Sequence, residues 1–294
     1  MFKEILQKSV RILLERPQIV RLGFFTLLCF SIVRLYYIVY YFNNILIWKY
    51  ESWVQISDAL MYFITTLNDH HAIWSVVIAI LIIIVWYLWL YPIGQAAVVN
   101  ALDKPEKSSM YAFWKGLNRF FPMLEYWGLS IPFGLFTFAT VIIRLNLMDV
   151  LDNVFVQIVI GIWLLMVVLA SVLWQYAPII IALEGCQVFD AIKKSTRVAA
   201  SNIMLSIKLM LVEFLLLFRF LITWVLIVGI PLWLVYLAVW LDILGNSFVE
   251  WLIWIVAACL LLFLSYINCI IETFFLTYWY VAFKVIQEEE SKKE

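Results

Sequence analysis

YAPIIIALEGCQVFDAIKKSTRVAASNIMLSIKL, residues Tyr176–Leu209, is the stretch whose reading decides the fold. It reads as the end of one membrane helix, a tight break at Glu184-Gly185, a short basic helix, and the start of the next membrane helix. In the short helix Val188, Ile192 and Ala199 fall on one side and Lys193, Lys194 and Arg197 on the other. That spacing is the signature of an amphipathic helix. Weaker versions of the pattern stand at the N-terminus and near residue 110.

The rest of the chain supports a membrane reading. Of its 294 residues 66% are hydrophobic and only 14% charged, with a mean hydropathy of +1.00, whereas soluble domains sit near about 45–50% apolar and about 25% charged. Fifteen Trp, fifteen Tyr and 22 Phe suit the aromatic belts that anchor helices at both membrane interfaces. Long apolar runs without alternation predict helices and argue against an outer-membrane barrel. The net charge of zero carries no information as a total; the placement of the charges does.

In chain order, residues 2–16 form an interfacial amphipathic helix with Phe2, Ile5, Leu6, Val10 and Leu13 against Lys3, Gln7, Lys8, Arg11 and Glu15. Pro17 ends it and suits the first turn of the next helix. Membrane spans are expected at about 18–42, 72–101, 121–147 and 153–183, from about 202 past Gly229-Ile-Pro231, and at about 248–283. Residues 109–121 repeat the opening pattern, with Met110, Phe113, Trp114, Leu117, Phe120 and Phe121 opposite Lys115, Asn118 and Arg119. The chain therefore reads as one six-helix membrane domain over 1–287, with a charged tail at 288–294. Its units, about 1–101, 102–187 and 188–287, are each an amphipathic helix plus a helical hairpin, overlaid through Lys8-Ser9, Lys115-Gly116 and Lys194-Ser195. Such repeats can define an axis carrying a binding site, or can simply be an inexpensive way to build a membrane domain.

Basic residues set the orientation. Lys3, Lys8, Arg11, Arg16 and Arg21 precede or open the first span, and Lys104, Lys107, Lys115 and Arg119 separate the second from the third. Lys193, Lys194 and Arg197 separate the fourth from the fifth, and Lys284, Lys292 and Lys293 follow the sixth. The opposite loops hold only Lys49 among acids such as Asp58, Asp69, Asp149, Asp152, Asp242 and Glu250. The positive-inside rule then predicts cytoplasmic termini and cytoplasmic amphipathic helices.

Ionisable residues within spans are candidates for function. At about 1.5 Å per residue in a core of roughly 30 Å, Arg34 and Arg219 fall in the outer part of their spans, Arg144 near the far interface, and Glu213 and Glu272 near the middle. Asn268 is level with Arg219. One reading joins Arg34, Arg219, Glu213, Asn268 and Glu272, with Gln95 and Gln175, into a polar pocket or pathway. The other makes Arg219 an interhelical tie to Glu272 or Glu213, while Arg34 and Arg144 reach outer headgroups.

Other chemistries find little footing. Cys29, Cys259 and Cys269 lie in apolar runs and Cys186 at a helix break, with no metal or disulfide spacing. Adjacent His70 and His71 diverge in direction and have no further ligands at zinc spacing, so a solvated loop is expected and no metal. No P-loop, Rossmann glycine pattern, HExxH, GxSxG or EF-hand loop occurs, and no cofactor is expected. The charged N-terminus lacks the apolar core of a signal peptide and reads as mature protein. Lys8, Arg11, Lys115, Arg119, Lys193, Lys194 and Arg197 are candidates for anionic lipid headgroups, not nucleic acid.

The run Pro178, Ile179–Leu183, Glu184-Gly185, Ala191-Ile192-Lys193-Lys194-Ser195 and Arg197, with Tyr278–Lys284 near the C-terminus, resembles a broad bacterial family of multi-spanning proteins. That family includes the YciC-like inner-membrane proteins and the membrane domain attached to some glycerophosphodiester phosphodiesterases. The resemblance implies a six-helix membrane fold and a bacterial plasma-membrane location, and it implies no catalysis, because the phosphodiesterase activity belongs to a separate soluble domain. The leading expectation is a non-enzymatic, lipid-interacting or membrane-organising protein, with a protein partner or second copy left open. A transporter or channel using the buried charges is the alternative, and a lipid-modifying enzyme the third.

Overall fold

The structure, a computed structural model, describes residues 2–24, 81, 84–216, 218 and 247–292. All regular structure among them is helical. Three helices are long and apolar enough to cross a membrane: Phe120–Asn146, Val154–Leu173 and Tyr266–Ser291. A fourth is reached if Val188–Ser201 and Ile203–Leu216, bent by 101°, count as one span. Most of the expected span at 18–42, the first part of that at 72–101, and the far part of the fifth lie outside the described residues.

Helix α1 (Phe2–Glu15) buries Ile5 and Ser9 and exposes Lys3, Lys8 and Arg11. Arg16 alone is non-helical before Pro17 opens the helical residues 17–24, because proline's missing N–H costs nothing in a first turn. A π-helical turn, Trp86–Leu90, leads into α2 (Tyr91–Asp103). It sits where Pro92 withholds its N–H and crowds the carbonyl four residues back, the usual cause of a local widening. Helix α2 is buried almost all round, and its small residues let α3 (Ser109–Leu117) lie directly on it. Ser108 caps α3 by accepting from the Tyr111 N–H at 3.2 Å.

Sequence spacing extends this helix to residue 121, but α3 stops at Leu117, and Phe120 and Phe121 open α4 (Phe120–Ser130). A 3-10 turn, Ile131–Phe133, bends α4 into α5 (Leu135–Leu147). The expected single span at 153–183 is broken into α6 (Val154–Leu173) and α7 (Ala177–Glu184). The physical reason is Pro178, which cannot donate to the Trp174 carbonyl. That carbonyl accepts instead from the Ala177 N–H and the Tyr126 hydroxyl, both at 3.0 Å. The Leu173 carbonyl, left over by this shift, accepts from the Ser195 hydroxyl at 2.6 Å. In an apolar medium such freed backbone groups need partners, and two side chains from other helices supply them. Ser195→Ala leaves the Leu173 carbonyl unsatisfied, so a loss of about 1–3 kcal/mol is expected, read as a lower unfolding midpoint in detergent against Ser201→Ala. The Ser201 hydroxyl is exposed, donating to the Val198 carbonyl of its own turn and accepting from Asn202 Nδ2, both at 3.0 Å, so its loss leaves no buried group unsatisfied.

Gly185 ends α7 in the left-handed region at φ 71°, the residue type that region favours. The Arg119 guanidinium lies against it, where any Cβ would collide. Next come α8 (Val188–Ser201), α9 (Ile203–Leu216) and α10 (Ser247–Ser291). Helix α10 carries the expected sixth span onward to Ser291, so most of the predicted tail is helical. Its 45 residues rise about 67 Å, over twice the apolar thickness of a bilayer.

The core joins α2, α7 and the stretch of α10 around Tyr278–Phe283. Tyr176 sits at its centre, fully buried, its ring edge-on to Trp279 at 5.2 Å and its hydroxyl 3.2 Å from Ser206 Oγ. One short helix covers each core helix: α1 on α10, α3 on α2 and α8 on α7.

Two ion pairs tie the ends of these elements together, and they respond oppositely to pH. Asp103 meets Lys284 at 2.9 Å and accepts from the Tyr280 hydroxyl at 3.3 Å. Partial burial pushes its carboxyl up, but Lys284, Tyr280 and the charge of Lys115 outweigh it and hold the group below the ordinary carboxylate range. A depressed folded value means stability fully present above the unfolded pKa of about 3.9, lost as pH falls below it. Glu184 bonds to Lys194, which raises the Lys194 ammonium. That contribution is complete below about 10.4 and is lost as pH rises through the higher folded value. Asp103→Asn is therefore expected to flatten the acid limb of a pH–stability curve, and Lys194→Gln the alkaline limb.

Candidate functional site

The helix breaks face a common space. A cavity of about 690 Å³ lies among α2, α4, α5, the α6–α7 break, α9 and α10. Its polar lining includes Gln95, Ser130, Thr137, Thr140, Ser171, Gln175, Glu213 and Glu272. Ile131, Phe133, Gly134 and Trp174 at the two breaks also line it. Irregular backbone at membrane depth is tolerated where it lines a cavity or is buried in protein.

Glu213 comes from α9 and accepts from Trp279 Nε1 at 2.8 Å. The Trp279 ring is in turn fixed against Tyr176, so the carboxylate is held by the core. Glu272 lines the same space from α10. Gln95 donates through Nε2 to the Tyr91 hydroxyl at 2.6 Å, which orients its amide. Ser130 and Thr140 donate to carbonyls of their own helices, at 2.9 and 2.8 Å, and so present oxygen lone pairs to other donors. Carboxylate, amide and hydroxyl oxygens together favour a ligand that is cationic or donates hydrogen bonds.

Of the polar residues expected in the membrane, the structure brings together Glu213, Glu272, Gln95 and Gln175. Asn268 is buried one turn along α10 from Glu272 and is not part of the lining. Arg34, Arg219, His70 and His71 lie outside the described residues. Tyr126, Trp279, Ser171 and the hydroxyls of α4 and α5 carry no sequence motif. The signal that could have found them is Pro132 and Pro178, each marking a break whose freed carbonyls need hydrogen-bond donors. Among the described residues, His, Cys, Asp and Glu form no cluster of three suited to a metal.

The basic candidates separate by environment. Lys8, Arg11, Lys193 and Arg197 are exposed, and Arg11 reaches Glu15 at 3.2 Å. Lys194 pairs with Glu184, Lys115 is half-buried near Asp103, and Arg119 packs over Gly185.

Fold and site together define an all-helical protein with helices of membrane-spanning length around a polar chamber. Comparison with family models, curated proteins and solved structures finds no match to this chain.

Proposed function

We propose that the chain is a non-enzymatic integral membrane protein of the transporter or channel class. Its chamber takes a small cationic or hydrogen-bond-donating solute, with Glu213 and Glu272 as the charged acceptors. The single observation that carries this reading is the cavity of about 690 Å³ that holds both carboxylates beside two helix breaks. Broken helices around a polar site are how many transporters build a binding site within the bilayer. The test is flux into proteoliposomes across a panel of small cations, from protons to organic ammonium ions. The expected result is protein-dependent flux of at least one of them; no flux and no binding of any would overturn the reading.

The six spans, the threefold repeat, the cytoplasmic termini, the bacterial plasma-membrane location and the YciC-like family relationship belong to the same proposal. Support for the repeat comes from burial at matched positions of the three short helices: Ile5 and Ser9, Ala112 and Gly116, Ala191 and Ser195. Support for the family relationship is the Pro178, Glu184-Gly185 and Ala191–Ser195 pattern.

A second reading, a lipid-interacting or membrane-organising protein, is favoured by α8. There Lys193 and Arg197 are exposed near Phe189, itself 76% exposed, the composition of an amphipathic helix lying in an anionic headgroup layer. Replacing both cations by Gln should then reduce the anionic lipid that copurifies with the protein; unchanged lipid would sink this reading.

A further inference from the structure

A smaller cavity of about 210 Å³ opens where the break between α1 and the helical residues 17–24 meets the turn before α3. Its lining includes Arg16, Pro17, Gln18, Lys107 and Ser109. Neither Arg16 nor Lys107 is in a salt bridge among the described residues. Glu15 also lines the cavity, but its carboxylate is engaged by Arg11. Glu106, in the neighbouring turn, is exposed, and Asp103 is taken by Lys284 and Tyr280. The acids around the cavity are thus engaged or turned to solvent, while its cations are not in ion pairs.

The Ser109 hydroxyl and the Gln18 amide add hydrogen-bond donors to the same lining. An arginine and a lysine without carboxylate partners among the described residues, with these donors beside them, form an environment for a compact oxyanion. Its place, where α1 gives way to the next helix, is at the level of phospholipid headgroups in the membrane reading. We propose that this cavity is a binding site for a phosphate group, with Arg16 as the forked donor and Lys107 as the point charge. The source is either an anionic phospholipid headgroup or free phosphate.

The test uses the full chain in phosphatidylcholine nanodiscs. One arm titrates inorganic phosphate and follows thermal stability. The other incorporates phosphatidylglycerol or phosphatidic acid and counts retained lipid by native mass spectrometry. The proposal expects binding in at least one arm, weakened about tenfold or more by Arg16→Gln with Lys107→Gln. Arg16→Lys should recover part of the loss, since it restores charge without the fork. Lys208→Gln, at an exposed position of α9 away from the cavity, should leave this binding unchanged. Response to inorganic phosphate identifies a soluble ligand, and response only to anionic lipid identifies a headgroup. Should the double variant not fold, Ser109→Phe fills the cavity with both cations in place and must also abolish binding. Absence of binding in both arms, or binding equal in wild type and the cavity variants, overturns the proposal.

Discussion

Glu213→Gln is expected to lower solute affinity in the polar chamber by about 10- to 100-fold while leaving the fold intact. The side chain keeps its length and an oxygen that can accept from Trp279 Nε1, now 2.8 Å from the carboxylate, so the tie between α9 and α10 survives. What disappears is the charge. A hydrogen bond to a charged group is worth about 1.5–3 kcal/mol, which is about 10- to 100-fold in affinity. Glu272→Gln should act in the same direction, and because the two carboxylates share one cavity their effects should not be additive. If Glu213 were merely an interhelical tie, Glu213→Gln would leave flux unchanged and only Trp279→Phe, which removes the donor, would matter. Flux in proteoliposomes and thermal stability, measured on the same variants, separate the two accounts.

Gly116→Ala should be the most damaging small substitution in the described core. A Cβ at Gly116 would stand 2.6 Å from the Ile93 carbonyl oxygen and 2.9 Å from the Ala97 nitrogen. Both are backbone atoms in the buried helix α2, so neither can rotate out of the way, and α3 must lift off the helix on which it rests. Overpacking of this kind costs typically about 1–3 kcal/mol. Gly128→Ala is the control. Nothing lies within 4 Å of a Cβ built there, and alanine is favoured over glycine by roughly 1 kcal/mol within a helix. The unfolding midpoint should therefore fall for Gly116→Ala and hold or rise for Gly128→Ala.

The helical class of the described residues, with helices long and apolar enough to cross a membrane, was legible because apolar composition and unbroken runs leave few alternatives once backbone groups must be satisfied internally. The short helices were legible at the end of α1, where Pro17 punctuates the chain, and at the break before α8, where Glu184-Gly185 does, and less so at the end of α3. There Phe120 and Phe121 continue the apolar spacing although the helix has already turned at Asn118-Arg119. The break at 174–176 was the main structural miss. Val154–Leu173 and Ala177–Glu184 are both apolar, so hydropathy cannot separate them, and Pro178 looked like the end of a span. Glu213 and Glu272 were found because a carboxylate in an apolar run stands out. Ser171, Thr137 and Tyr126 were not, because one hydroxyl in a membrane helix more often bonds back to its own backbone, as Thr140 does. The tertiary arrangement alone brings these residues to the same cavity as the carboxylates.

The central claim, a water-accessible chamber inside the membrane domain, is tested most directly by cysteine accessibility in intact membranes. With the four native cysteines replaced, Ser171→Cys and Thr137→Cys would each be exposed in turn to a membrane-impermeant thiol reagent, with Val168→Cys as control. Val168 is on the same helix as Ser171, is 41% exposed and does not line the chamber. The account predicts rapid labelling at Ser171→Cys and Thr137→Cys and slow labelling at Val168→Cys, with the fast sites slowed by a bound cationic solute. Labelling at the chamber positions no faster than at Val168→Cys would contradict it.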